Sequence, residues 1–244
     1  MKQIDINCDL GEGLENEALL MPYLSSCNIA CSGHAGDVET MTRVSELANR
    51  YKVKIGAHPS FPDKEGFGRQ IIEMSTSDLY KSLEDQINTM NNVLKAMNLK
   101  LHHVKPHGAL YNLATTDKKT AQIVVSVIKS IDKNLILYAP YQSMMSKIAI
   151  TDGLKVMYEG FADRYYNEDL TLVSRQNKKA IIQDKTEIFD HVFRMISDQK
   201  VRAKSGVEVE LKIDTFCVHG DHENVVENLK YLTYKLEQNS IKIL

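Results

Sequence analysis

The chain has no GxxxxGK[ST] loop, no GxGxxG turn after a strand, no GxSxG elbow and no HExxH helix. These absences exclude the usual phosphate-loop, dinucleotide, α/β-hydrolase and helix-borne zinc peptidase chemistries. Gly11 and Gly13 form only a GEG pair. No apolar run approaches the roughly 20 residues that a membrane-spanning helix needs. The N-terminal MKQIDINCDLGEG lacks the apolar stretch and cleavage pattern of a secretory signal, so cytoplasmic residence is expected. Charge of one sign is missing too: 30 basic residues stand against 32 acidic ones, with no block of Lys or Arg. Nucleic acid and anionic membranes are therefore not expected partners. Cysteine is scarce, and Cys8, Cys27, Cys31 and Cys217 show no CxxC spacing. They read as small buried thiols rather than as a zinc site built from Cys8, Cys31, Cys217 and a histidine.

Five segments share one pattern, an apolar or small-residue run that ends in His, Asp, Glu or Lys among Gly and Pro. They are IDINCDLGEG from Ile4, NIACSGHAGD from Asn28, KIGAHPSFPD from Lys54, LHHVKPHGALYN from Leu101 and TFCVHGD from Thr215. In alternating strand and helix proteins the ligand site lies beyond the carboxyl ends of parallel strands, so scattered tails of this kind converge there. The side chains of Asp9, His34, His58, His107 and His219 are thus expected to line one cavity.

Periodicity supplies the frame. Strands are expected at Ile4–Cys8, Asn28–Cys31, Val53–Ala57, Leu99–Val104, Leu135–Tyr138, Leu154–Tyr158, Val207–Leu211, Thr215–Val218 and Ile241–Leu244, with a short one at Ala180–Ile182. Helices are expected from Asp37, over Ser77–Asn98 with Ser77 as cap, and over Asp117–Ile131, Tyr141–Ile150, Lys185–Ile196 and Glu223–Gln238. The βαβα rhythm points to parallel strands. A single domain spanning 1–244 is expected, a distorted or incomplete (β/α) barrel rather than an ideal eight-fold one.

Among the histidines, His34, His58, His107 and His219 each follow a strand-like run and adjoin Gly, Ala or Pro; His102, His103, His191 and His222 have ordinary structural explanations. Asp9, Glu12 and Asp221 are the carboxylates expected to serve the imidazoles, whereas Asp37 and Asp63 also suit a helix cap and a turn. Arg69, Lys105, Arg164 and Arg175 are candidate clamps for an anion, with Lys105 and Arg164 expected to face the cleft. Replacing Lys105 by Ala is expected to remove a charge-assisted contact of about 1.5–3 kcal/mol while leaving the fold nearly unaffected.

Together these motifs resemble the LamB/YcsF family. NCDLGEG, NIAC with HAGD, IGAHPSFPD, GFGRQ, KPHGALYN, EGFADRYY, LVSR and CVHGD occur in the family's order over nearly the whole chain. Two departures stand out: ACSGHAGD replaces the family's ACGFHAGD at Ser32 and Gly33, and Gln70 replaces a second arginine after Arg69. The resemblance implies a barrel of the glycoside hydrolase/deacetylase type. It also implies 5-oxoprolinase activity, the cleavage of 5-oxoproline to L-glutamate with ATP as co-substrate, in company with subunits B and C. Because no nucleotide loop is present, ATP binding is expected to depend on those partners, and the chain alone is expected to turn ATP over negligibly. Asp9, His34, His58 and His107 would then move protons, Glu12 and Asp221 orient them, and Arg69, Lys105, Arg164 and His219 bind substrate. A divalent metal fits the same residues. The rival readings are a metal-dependent amide or carbohydrate deacetylase and a non-catalytic regulatory subunit.

Overall fold

The computed structural model describes residues 2–174, 177, 180–220 and 224–244. The strands are β1 (Lys2–Leu10), β2 (Ser26–Ala30), β3 (Lys54–His58), β4 (His103–Val104), β5 (Ile136–Pro140), β6 (Lys155–Phe161), β7 (Lys200–Arg202), β8 (Glu208–Glu210), β9 (Thr215–Val218) and β10 (Ile241–Ile243). The helices are α1 (Glu17–Leu20), α2 (Val38–Tyr51), α3 (Thr76–Ala96), α4 (Gly108–Thr116), α5 (Lys118–Ile131), α6 (Met144–Thr151), α7 (Lys185–Asp198) and α8 (Val225–Gln238). β1 to β6 pair in sequence order, all parallel, and β9 pairs with both β6 and β1. The result is a closed barrel of seven strands, the departure from eight-fold form that the sequence suggests. β10 extends the sheet by pairing with the start of β1. Among the described residues, no helix is long and apolar enough to cross a membrane.

Strand β1 shows why the barrel has a polar centre. Its even positions, Ile4, Ile6, Cys8 and Leu10, belong to the apolar core, while Asp5, Asn7 and Asp9 alternate with them. The polar set makes a hydrogen-bonded column instead of the branched aliphatic layers common in such barrels. Asn7 donates to Glu159 Oε1 at 3.0 Å and Thr215 Oγ1 at 2.8 Å. Asn28 donates to Asn7 Oδ1 and Asp9 Oδ1, both at 2.8 Å, and His103 Nε2 lies 2.7 Å from Asn28 Oδ1. Ser26 and Thr215 both donate to Asp5 Oδ1.

The helices cover the outside as their periodicity demands. Leu79, Leu83, Ile87, Met90 and Leu94 of α3 are buried at intervals of three and four. Asp37 and Asp117 cap α2 and α5 by accepting from Thr40 and Thr120, each at 2.7 Å. The cap of α3 is Ser75, which accepts from the Asp78 N–H at 3.1 Å, and not Ser77. α4 is unforeseen: GALYNLATT begins a helix directly after His107, and Gly108 enters it at φ +54°. The expected strand at 99–104 shrinks to His103–Val104, although the His102 and Lys105 N–H groups extend the pairing to the Ile55 and Ala57 carbonyls. The expected strand at 180–182 is a single antiparallel bridge from Ile181 to Arg164, and β8 leaves the barrel to pair with β7.

Candidate active site

The tails of β1 to β4 meet at the carboxyl ends of those strands, and Cys217 of the fifth tail reaches the same cluster. Lys105 is buried, and its ammonium lies 2.9 Å from Asp9 Oδ1, 2.9 Å from Glu159 Oε1 and 3.1 Å from Cys217 Sγ. The Tyr111 hydroxyl donates to the other Glu159 oxygen at 2.7 Å. Burial alone would lower the lysine's pKa, yet Asp9, Cys217 and Glu159 reverse this and hold it well above its ordinary value. Burial likewise works to raise the Asp9 carboxyl, and the charges of His58 and Lys105 prevail and keep it well below the usual carboxylate range.

The imidazoles pack as a group. His58 Nε2 lies 3.3 Å from Asp9 Oδ2 and 2.9 Å from His107 Nδ1. His34 Nε2 lies 2.8 Å from Glu12 Oε1, and the His34 and His107 rings stack at 3.7 Å. Burial and then the nearby His58 charge push both His34 and His107 down to about 3, so these two are neutral near pH 7. For His58 burial pulls downward, but Asp9 outweighs it and the pKa is raised. Glu12 is raised by burial and by Asp9. Among the described residues, Glu12, His34, His58 and His107 are the set whose donor atoms, within 4.8 Å of one another, could hold a metal ion. All four cysteines are buried thiols and none joins that set.

The other expected site residues have the following surroundings. Arg69 is exposed, its guanidinium 5.1 Å over the Phe67 ring. Arg164 is buried and donates to the Ala180 and Val173 carbonyls, which ties down its own loop. His219 Nδ1 pairs with Asp163 at 2.9 Å, and its ring stacks on Phe161, over which the Lys105 ammonium also sits. Asp221 and Arg175 lie outside the described residues. Asp63 accepts from the Gly66 and Gln70 N–H groups and so shapes its turn.

Glu159 joins the site, and Asp163 pairs with His219, without either being expected from the sequence. A signal for Glu159 exists, since KVMYEGF is a sixth apolar run that ends in a carboxylate before glycine. Gly68 is required by packing: a Cβ there would lie 2.8 Å from His107 and 2.9 Å from His34. The two family departures also have a structural reading. Ser32 has φ +76°, a left-handed conformation natural to the glycine it replaces. Gly33 leaves no room for an aromatic, because Gln86 fills that space with its hydrogen bonds to Ser60. Ser32→Gly is accordingly expected to stabilise the chain by about 1 kcal/mol, read as a higher urea midpoint at unchanged slope.

A closed parallel barrel with carboxylates, imidazoles and a buried lysine gathered at its carboxyl end defines a (β/α) barrel protein with an enzyme-like polar centre. The chain belongs to the LamB/YcsF family, whose model matches residues 4–244. The 5-oxoprolinase A-subunit of Natranaerobius thermophilus is 42% identical over 248 residues, covering 100% of this chain and 96% of that protein. The solved lactam utilization protein from Thermus thermophilus superposes with a TM-score of 0.93 at 35% identity, covering 100% of this chain and 99% of the other. A GH18 chitinase from Pseudoalteromonas aurantia shares the fold alone, with a TM-score of 0.51 at 11% identity over 94% of this chain and 99% of that one.

Proposed function

We propose that the chain works as the barrel component of a 5-oxoprolinase, opening the lactam of 5-oxoproline to L-glutamate with ATP as co-substrate and with subunits B and C as partners. The observation that carries this reading is the convergence of Asp9, Glu12, His58, Lys105 and His107 on one polar centre, in a chain closely similar to proteins named for lactam use and for 5-oxoprolinase.

A five-membered lactam is a stabilised amide. Phosphoryl transfer from ATP to its oxygen makes the ring carbon electrophilic, water adds there, the ring C–N bond breaks with a proton delivered to nitrogen, and a second water releases phosphate. Asp9 takes the proton from water in this reading. Lys105 holds its Oδ1, which leaves Oδ2 facing His58, and the neighbouring cations keep the group ionised. Arg69, exposed over Phe67, receives an anionic group from solvent in this reading. Nucleotide handling falls to the partners, since no recognisable phosphate loop occurs in the sequence.

The test is glutamate release from 5-oxoproline and ATP by the purified chain with and without its two partners. Turnover is expected only in the full mixture, and Asp9→Asn is expected to lower kcat by roughly 10²–10⁴-fold. Release of acetate from acetylated sugars or amides, with no glutamate from the full mixture, would favour the deacetylase reading instead.

A further inference from the structure

The contact between His58 and His107 raises a question of protons. His58 Nδ1 lies 2.7 Å from the Lys105 carbonyl oxygen, and His107 Nε2 lies 3.0 Å from that of Phe67. A carbonyl only accepts, so both of these nitrogens carry hydrogen. If the rings are neutral, the two remaining nitrogens, His58 Nε2 and His107 Nδ1, face each other at 2.9 Å with a lone pair each. Such an approach is repulsive unless a positive charge sits between them. A proton can supply it, and so can a metal ion.

The surroundings match an ion better than a lone proton. Glu12 Oε1 lies 3.4 Å from His107 Nδ1 and 3.8 Å from His58 Nε2, which closes a triangle of donors. Ligands about 2.1 Å from a tetrahedral zinc are about 3.4 Å apart, close to the sides of this triangle. Both imidazoles are already fixed by backbone carbonyls on their far nitrogens, the usual way in which metal-binding histidines are oriented.

His34 differs. Its ring is parallel to that of His107 within 2° and 3.7 Å away, so an ion in the plane of one lone pair is far out of the plane of the other. Among the described residues it also has no such orienting partner, since its buried Nδ1 makes no hydrogen bond there. Its Nε2 meets Glu12 instead.

We propose that Glu12, His58 and His107 bind one divalent ion of the zinc class, and that His34 orients Glu12 as a hydrogen-bond partner rather than serving as a fourth ligand. Two histidines and one carboxylate leave coordination positions open, the pattern of a catalytic rather than a structural site. An ion there supplies Lewis-acid polarisation of an oxygen or a more acidic bound water. The assignment rests on the donor geometry and does not depend on which amide the chain cleaves.

The test is calorimetric titration of the chelator-stripped full chain with Zn²⁺, and absorption spectroscopy with Co²⁺. One ion per chain is expected. His107→Gln, His58→Gln and Glu12→Gln are expected to weaken binding at least about 1,000-fold, and His34→Gln by roughly 10–100-fold, the range of an outer partner. Circular dichroism on each stripped variant separates lost binding from lost folding, and a variant that does not fold is replaced by the Asn substitution at the same position. Absence of stoichiometric Zn²⁺ and Co²⁺ binding by the folded chain would overturn the site. A loss in His34→Gln equal to that in His107→Gln would overturn the three-ligand assignment. Because the readout is binding, a negative result here leaves the 5-oxoprolinase reading intact, and failure of glutamate release leaves the metal site intact.

Discussion

Acidifying the chelator-treated protein from about pH 7 to about pH 5 is expected to remove much of its folding free energy, because buried histidines that stay neutral in the folded chain are protonated in the unfolded one. His34 and His107 are held at about 3 by burial and by neighbouring histidine charge, and His191 at about 4 chiefly by burial. Between those values and the unfolded value near 6.5, the unfolded chain binds more protons, so stability falls as pH falls. At pH 5 each of the three costs about 2 kcal/mol, together roughly 6, against a typical total of about 5–15. His103, driven down by burial and by His102, acts in the same direction. The raised His58 has the opposite sign: its contribution is fully present below about 6.5 and is lost as pH rises through its folded value, so on the acid side it offsets part of this loss. Urea unfolding at successive pH values measures the slope. Stability that is flat over this interval would show that these imidazoles are solvated or already charged in the folded state.

The residues behind that acid sensitivity are partly visible in the sequence. His34, His58 and His107 are legible because each ends an apolar run beside a small residue or proline, a local signature that needs no knowledge of partners. The strand IDINCDL is legible as a strand through its alternation, but its meaning is not. Alternation usually means one face in water. Here all but Asp9 among Ile4–Leu10 are buried, since the polar face of β1 looks into the barrel, where its Asn7 is hydrogen-bonded to Asn28, Glu159 and Thr215 from other strands. Those partners are 19 to 210 residues away in sequence from the β1 side chains they bond, and closure of the barrel alone brings them together.

The same cause hides the partners of the cations. Arg164 and Lys105 both resemble ligand clamps in the sequence because each stands beyond an apolar run. Sequence gives no way to count the acceptors that the fold will deliver to a cation. Among the described residues Arg164 donates to two backbone carbonyls and Lys105 pairs with two carboxylates, whereas Arg69 remains exposed. The α4 helix escapes notice for a related reason: its GALYNLATT run starts with glycine and has no side-chain cap, so its formation depends on tertiary packing of Ala109, Leu110, Tyr111 and Ala114. Ser32 shows the converse, a local conformation imposed by its loop on a residue that does not favour it.

Lys105→Met is expected to destabilise the chain by about 3–5 kcal/mol, contrary to the sequence-based expectation of an unaffected fold. The reason is what remains behind. Asp9 Oδ1 and Glu159 Oε1 both lie 2.9 Å from the ammonium, and without it two carboxylates share one enclosed space with no cation between them. Removing one of those charges should relieve the damage. Glu159→Gln keeps an oxygen for the Tyr111 hydroxyl or the Asn7 amide, so Lys105→Met combined with Glu159→Gln is expected to recover about 1–3 kcal/mol relative to the single Lys105 variant. Catalysis should change as well. Loss of the lysine removes a charge that keeps Asp9 ionised, so its pKa rises toward the ordinary carboxylate range and the acid limb of the kcat profile moves to higher pH. Chemical denaturation of the four members of the cycle, with pH profiles of the reconstituted complex below its melting transition, checks both halves. A Lys105 variant of normal stability whose only defect is a raised KM would instead make this ammonium a substrate contact and remove the ion-pair account of the barrel centre.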